Sequence, residues 1–300
     1  MPILVKKKTL TGLSVKEVMR RQVIYLPQDL SIGNGINALI KYKINAFLTK
    51  DENDLPVGVV SKTDIMGAYY ACLSLETPLN NIMSSPPLFC DSSDNLESAL
   101  DIMRSNGIYR LYIAGERPGE VLGTLAYPDI VGILYKYCHE CEYSHLRQKQ
   151  KKQANGTILR YKVKEVMTSS VKSCGEDDSL LQIMEELSMY RFGAVLIKGN
   201  NNLPSGVVSK TDLTISYKHG VDPQIKAKTI MSSPVRSCEE NELLESAIHK
   251  MIFTDIHRIF IYKDNPQNIV GVLSLSDAAR VRSGSCHACI SSRIRVDKQD

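Results

Sequence analysis

The chain has 300 residues, 43% of them hydrophobic and 23% charged, with a formal net charge of +4 at pH 7 and eight cysteines. That length suggests two domains, and the apolar share is ample for buried cores, which excludes a disordered or fibrous chain. The small positive balance does not require a nucleic-acid partner, and no apolar run approaches the ~20 residues that span a bilayer, so a cytoplasmic protein with reduced or metal-bound thiols is expected.

The first unit, residues 13–72, opens with VKEVM at Val15 to Met19. A short strand (VIYL) follows, then an amphipathic helix, an apolar strand, a turn and another apolar strand ending in GVVSKTD, where Asp64 opens a helix. The second unit, 76–138, runs in the same order from MSSP (Met83 to Pro86) through PLF to GTLAYPDI, which carries Asp129. Residues 139–159 are polar and charged and read as a linker. The third and fourth units, 160–220 and 224–283, restate the first two: VKEVM returns at Val163, GVVSKTD at Gly206, MSSP at Met231 and Asp129 as Asp277, each 148 residues on. Their short strands are VKS and VRS. In the fourth unit LLESAIHKMIF places Leu244, Ala247, Ile248 and Met251 on one helical stripe, and IFIY and IVGVL are strands separated by the turn formers of KDNPQN. The fold class is therefore α+β with an α/β-like local order. A unit of about 60 residues cannot easily bury its one apolar face alone, so consecutive units are expected to pair within a module, and the two modules to stack.

Two constellations recur with the units. The first is the acidic turn: Ser61, Thr63 and Asp64; Asp129 alone, because Ala126 stands where the Ser would be; Ser209, Thr211 and Asp212; and Ser274 with Asp277. A Ser followed three residues later by an acid suits a helix capping box, and an acid in a first turn is favoured by the helix dipole. A ligand role competes with capping, and the second unit, which keeps the Asp after losing the Ser, favours it. The second constellation lies 19 residues before each Asp, at Asn45, Arg110, Gly193 and Arg258, the last preceded by His257. The two arginines start strands apolar enough to be buried, and a buried guanidinium needs a partner, for which phosphate serves as well as a protein acid. Lys62 and Lys210 stand ready to supplement them.

This pattern of VM or IM, strand, helix, strand, turn and GVVSxxD resembles the cystathionine-β-synthase (CBS) domain over residues 13–138 and 160–283. Four in a row resemble the gamma subunit of AMP-activated protein kinase and related stand-alone four-domain proteins. The resemblance implies paired domains, or Bateman modules, whose clefts bind AMP, ADP, ATP or other adenosyl ligands. It implies that the acidic-turn Asp accepts from the ribose hydroxyls, that the nearby Ser or Thr holds ribose or phosphate, and that basic residues near Arg110, His257 and Arg258 hold phosphate. Val23, Ile24, Leu88, Val171 and Val235 are candidates for an adenine wall and equally for core. Cys90, Cys174 and Cys238 recur seven residues after a Met and read as small buried thiols.

No metalloprotease HExxH, Walker phosphate loop or GxSxG elbow is present, so a non-enzymatic sensor regulating an unidentified protein is expected. Lys6 to Lys8 and RQKQKK are short charge runs of the kind that form solvated faces. The CBS pattern leaves out CHEC, residues 138–141, and CHAC, residues 286–289 in the tail 284–300. On a continuing helix Cys138 with Cys141, and Cys286 with Cys289, share one face, and two such pairs make a tetrahedral thiolate set for zinc, or less readily an iron–sulfur cluster. The alternatives are inert thiols and redox-active pairs, in which case the protein is a metal or redox sensor or a structural adaptor. A homodimer remains open. The zinc reading predicts about one zinc per chain in purified protein, lost on substituting Cys138 and Cys141 by Ser; elemental analysis showing no metal contradicts it.

Overall fold

The computed structural model describes residues 13–140 and 161–280. In the first unit a short helix α1 (Val15–Val18) precedes β1 (Tyr25–Pro27), α2 (Ile32–Lys41), β2 (Ala46–Lys50), β3 (Pro56–Ser61) and α3 (Lys62–Tyr70). The second has β4 (Phe89–Asp91), α4 (Leu96–Ser105), β5 (Arg110–Ala114), β6 (Val121–Ala126) and α5 (Tyr127–Glu140). The third has β7 (Ser173–Gly175), α6 (Leu180–Met189), β8 (Ala194–Lys198), β9 (Pro204–Ser209) and α7 (Lys210–Lys218). The fourth has β10 (Ser237–Glu239), α8 (Leu244–Phe253), β11 (Arg258–Lys263), β12 (Asn265–Ser274) and α9 (Leu275–Arg280). Each unit holds its own three-stranded sheet, with the first two strands parallel across the helix and the last two antiparallel. The parallel pair needs that helical crossover, and the antiparallel pair needs only a turn.

The crossover helices start where the sequence supplies caps. Ser31 Oγ accepts from the Asn34 N–H, and Ser179 with Gln182 closes a reciprocal capping box. Ile32, Ile36 and Leu39 form the buried stripe of α2, and Leu244, Ala247, Ile248 and Met251 that of α8, as their spacing predicts. Two local expectations shift. The first strand of each unit begins later than the apolar letters suggest, because the residues just after the Met are held on a neighbouring unit. In the fourth unit most of the expected turn is strand: only Asp264, at φ 61°, turns between β11 and β12, and irregular pairing near Tyr262 absorbs the extra residues.

Apolar side chains gather in two cores, and these do not follow the modules. One joins the first and third units through Ile36, Leu39, Ile65 and Tyr69 with Ile183, Leu187, Leu213 and Tyr217. The other joins the second and fourth through Met103, Ile130 and Val131 with Ile248, Met251 and Ala279. The stacking of modules, not pairing within one, therefore buries the helices. Like meets like across a pseudo-twofold axis. Tyr69 and Tyr217 stack at 4.9 Å, Tyr69 Oη donates to the Val221 carbonyl at 2.7 Å, and Tyr217 Oη to the Leu73 carbonyl at 2.6 Å. Tyr109 and His257, related by the same repeat, stack at 6.1 Å.

Within a module the units exchange their leading segments. Arg20 bridges to Thr124, Ser84 to Val59, Thr168 to Val272 and Ser232 to Val207, so each VM or IM methionine lies on the third strand of the other unit. That crossing explains the glycine of GVV, GTL and GVL: Met19, Met83, Met167 and Met231 pack where a Cβ would stand at Gly123, Gly58, Gly271 and Gly206. At Gly206 a Cβ would lie 2.8 Å from Met231 Sδ and 3.0 Å from the Ser232 carbonyl oxygen. Gly206→Ala should therefore lower stability by about 1–3 kcal/mol. Gly67→Ala, on a helix with nothing within 4 Å of the new methyl, should raise it slightly; urea unfolding checks both, and equal effects would contradict the crossing.

Candidate functional site

Because leading segments cross, each cleft combines one unit's post-methionine residues with the acidic turn of the other unit in its module. The four carboxylates share a scaffold. One oxygen of Asp64 accepts from the Ser61 N–H and Oγ, both at 2.7 Å; Asp212 does the same with Ser209, and Asp277 with Ser274 at 2.9 and 2.6 Å. Asp129 takes only the Ala126 N–H, at 2.9 Å. The capping reading and the ligand reading are thus compatible, since the cap occupies one oxygen and leaves the other.

The second oxygen sets the clefts apart. That of Asp64 lies 3.3 Å from Ser84 Oγ and that of Asp212 3.3 Å from Ser232 Oγ. In the second cleft Arg20 Nε donates to Asp129 Oδ1 in an ion pair. In the fourth cleft Thr168 occupies the position of Arg20, and Asp277 Oδ1 has no hydrogen-bond partner among the described residues. Arg20, Ser84 and Ser232 were not singled out from the sequence. Aligning the residue after each methionine gives Arg, Ser, Thr and Ser, and the odd member was the available signal.

A family model described as "CBS domain" matches residues 15–71, 79–136, 163–218 and 227–284. The chain belongs to the CBS domain family. Uncharacterized protein MK0525 of Methanopyrus kandleri is 27% identical over 121 residues, 40% of this chain and 61% of that protein, so the chain spans about three fifths of this curated relative. Among solved structures, protein MJ1225 from Methanocaldococcus jannaschii, put forward as an archaeal homolog of g-AMPK, superposes with a TM-score of 0.72 at 12% identity, covering 89% of this chain and 99% of that one. An uncharacterized conserved protein from Pyrococcus horikoshii gives 0.57 at 17% identity, over 90% and 100%. At these identities the likeness concerns the fold.

The cations of the four CBS units converge where the modules meet. Lys62 Nζ donates to Thr211 Oγ1 at 2.9 Å and Lys210 Nζ to Thr63 Oγ1 at 2.8 Å, so the threonines of the SKTD turns face lysines of the opposite module. Asn45 meets His257 Nδ1 at 3.2 Å. The Arg258 guanidinium lies against Gly193, 3.0 Å from where a Cβ would stand, so the residue lacking a side chain in the third unit makes room for the arginine of the fourth. Arg110 Nη1 donates to Thr124 Oγ1 at 3.2 Å, while its Nε is buried with no partner among the described residues. None of Lys62, Lys210, Arg110 and Arg258 forms an ion pair among the described residues.

Burial weakens the charged form of all of them. It lowers the pKa of Arg258, Arg110 and Lys62 and pulls that of Lys210 down to about 8, with Arg258 nearby adding to the effect. Burial and then Lys62 lower that of His257, whereas burial raises Asp129 against the pull of Arg20. A shallow concavity of about 560 Å³ between Leu55, Pro56 and the turn at Gly115 to Glu120 lies at the far end of the strands, away from these groups.

Cys90, Cys174 and Cys238 are buried thiols pushed up to about 12, as expected of inert core residues. Cys138 falls within α5, so that helix does continue past Asp129. Its side chain, together with Cys141, Cys286 and Cys289, lies outside the described residues, which contain no metal-ligating cluster. No helix among the described residues is long and apolar enough to cross a membrane.

Lys210 gives a pH test. Below about 8 its ammonium is charged in both folded and unfolded chains, and the burial penalty is present in full. Between about 8 and the ordinary 10.5 the folded chain has lost a proton that the unfolded chain keeps, so this residue's contribution to stability rises with pH. Lys210→Met should therefore be more stable than the native chain at pH 7, with the difference shrinking toward pH 10; a pH-independent difference in urea unfolding contradicts it.

Proposed function

We propose that the protein is a non-enzymatic regulator that binds an adenine nucleotide, AMP, ADP or ATP, in the clefts between paired CBS domains, the fourth unit's cleft foremost. One observation carries this reading: among the described residues Arg258 is enclosed at the module junction without an ion-pair partner, on the same unit as Asp277, whose outer oxygen has no hydrogen-bond partner there. A vicinal diol can donate to that oxygen, and a phosphate can accept from the guanidinium bidentately. Thr168 leaves the entrance open where Arg20 fills it in the second cleft. Phe260 and Val272, paired across β11 and β12 beside Arg258, supply an apolar floor on which adenine can rest. Ser274 and Ser276, whose hydroxyls lie 2.7 Å apart, add polar contacts for ribose or phosphate.

Occupancy reaches the rest of the molecule because Arg258 rests against Gly193 of the neighbouring unit in its own module, and the adjoining His257 bonds to Asn45 of the other module. A phosphate that draws Arg258 toward it shifts the adjoining His257, whose bond to Asn45 is a contact between modules, and that geometry is what a regulated partner protein would read. Asp277→Asn keeps an acceptor for the cap but removes the carboxylate. It should weaken AMP binding by about 1–3 kcal/mol, or roughly 5- to 150-fold. Asp64→Asn should do far less, since that carboxylate already has Ser61 and Ser84. Calorimetric titration with AMP decides, and unchanged affinity in Asp277→Asn removes the ribose role.

A further inference from the structure

The second cleft differs from the other three in being shut by its own chain. We propose that it is a gated binding site for a nucleoside phosphate, with Arg20 as the gate; the ligand class rests on the nucleotide reading above.

The gate is one side chain on a fixed backbone. Arg20 exchanges both backbone hydrogen bonds with Thr124, each at 2.8 Å, which anchors it on β6. Its side chain reaches Asp129 Oδ1 while remaining 67% exposed, whereas Asp129 is 5% exposed. The pair therefore has a mobile, solvated member and an enclosed one, and the arginine can leave without unpairing the strand. The solvated guanidinium loses little by leaving, and the enclosed carboxylate needs a new donor when it does, which a ribose diol supplies.

Behind the gate the cleft is equipped but unsatisfied. Arg110 Nε and Tyr112 Oη are both buried and have no hydrogen-bond partner among the described residues. Buried polar groups are ordinarily paired, and two donors left without partners on one strand call for an acceptor that the protein does not itself supply. Arg110 and Tyr112 alternate with the core residues Leu111 and Ile113 along β5, so they share the face opposite the core, where Thr124 of β6 is also found. The equivalent positions in the fourth cleft are Arg258, Phe260 and Val272. The second cleft thus retains the guanidinium and the acid that phosphate and diol require, but has a more polar floor. When a nucleoside phosphate enters, its anion offers Arg20 a second acceptor. Arg20 then leaves Asp129, the freed carboxylate oxygen accepts from the diol, and Arg110 Nε gains the phosphate. The two clefts of matching sequence position would thereby differ in threshold, one standing open and one requiring displacement of an internal cation.

The test uses the full chain, AMP as probe, and equilibrium dialysis to count bound equivalents. Arg20→Ser installs the residue found at Ser84 and Ser232, whose hydroxyls meet Asp64 and Asp212, and a cooperative thermal transition checks that the variant is folded. We expect Arg20→Ser to take up one more equivalent of AMP than the native chain at low concentration, with at least about tenfold tighter binding at that added site. The added equivalent should persist with Asp277→Asn and disappear with Asp129→Asn. Equal uptake by Arg20→Ser and the native chain overturns the gate, as does weaker uptake, which would make Arg20 a ligand contact only. Uptake by Arg20→Ser with none in the native chain supports the gate and overturns the assignment of the fourth cleft alone.

Discussion

Four cations are enclosed at a junction where, among the described residues, none of them forms an ion pair. An enclosed charge that is left unpaired costs several kcal/mol, and Lys62, Lys210 and Arg110 instead meet threonine hydroxyls while Arg258 lies against Gly193. Proteins do not usually gather such groups for stability. Under the proposed function they are half of an electrostatic pair, the other half being the phosphate of the bound nucleotide.

The duplicated sequence explains how the cations come together. With like units facing across a pseudo-twofold axis, a residue in one module meets its own repeat or that repeat's neighbour: Tyr69 meets Tyr217, Tyr109 meets His257, and each SKTD lysine reaches the opposite SKTD threonine. A single basic position in an ancestral module therefore appears twice at one junction. Asn45 and Gly193 stand where the other two units have arginine, and Asn45 bonds to His257 there. Gly193 leaves the space that Arg258 fills.

Much of this was legible in the letters because repetition and periodicity are local. The four units, their order of strand and helix, the stripes of α2 and α8 and the capping turns all follow from spacing. What lay beyond the sequence was tertiary. Nothing near Met83 says that it packs against Gly58 in another unit, and so the clefts could not be assembled from a single unit's residues. The role of Arg20 was hidden for the same reason, since its partner Asp129 is over a hundred residues away. Equally, the expected pairing of units within a module was right for the strands but not for the apolar cores, which run between modules, because the helices face outward from each module and need the other to cover them.

The account's central claim is that the junction wants an anion, and comparing AMP with adenosine tests it most directly. The two share the diol and the base and differ only in the phosphate. If enclosed cations drive binding, saturating AMP should raise the thermal midpoint by several degrees while the same concentration of adenosine moves it far less, and Arg258→Met should erase the difference. Equal stabilisation by AMP and adenosine would contradict the account.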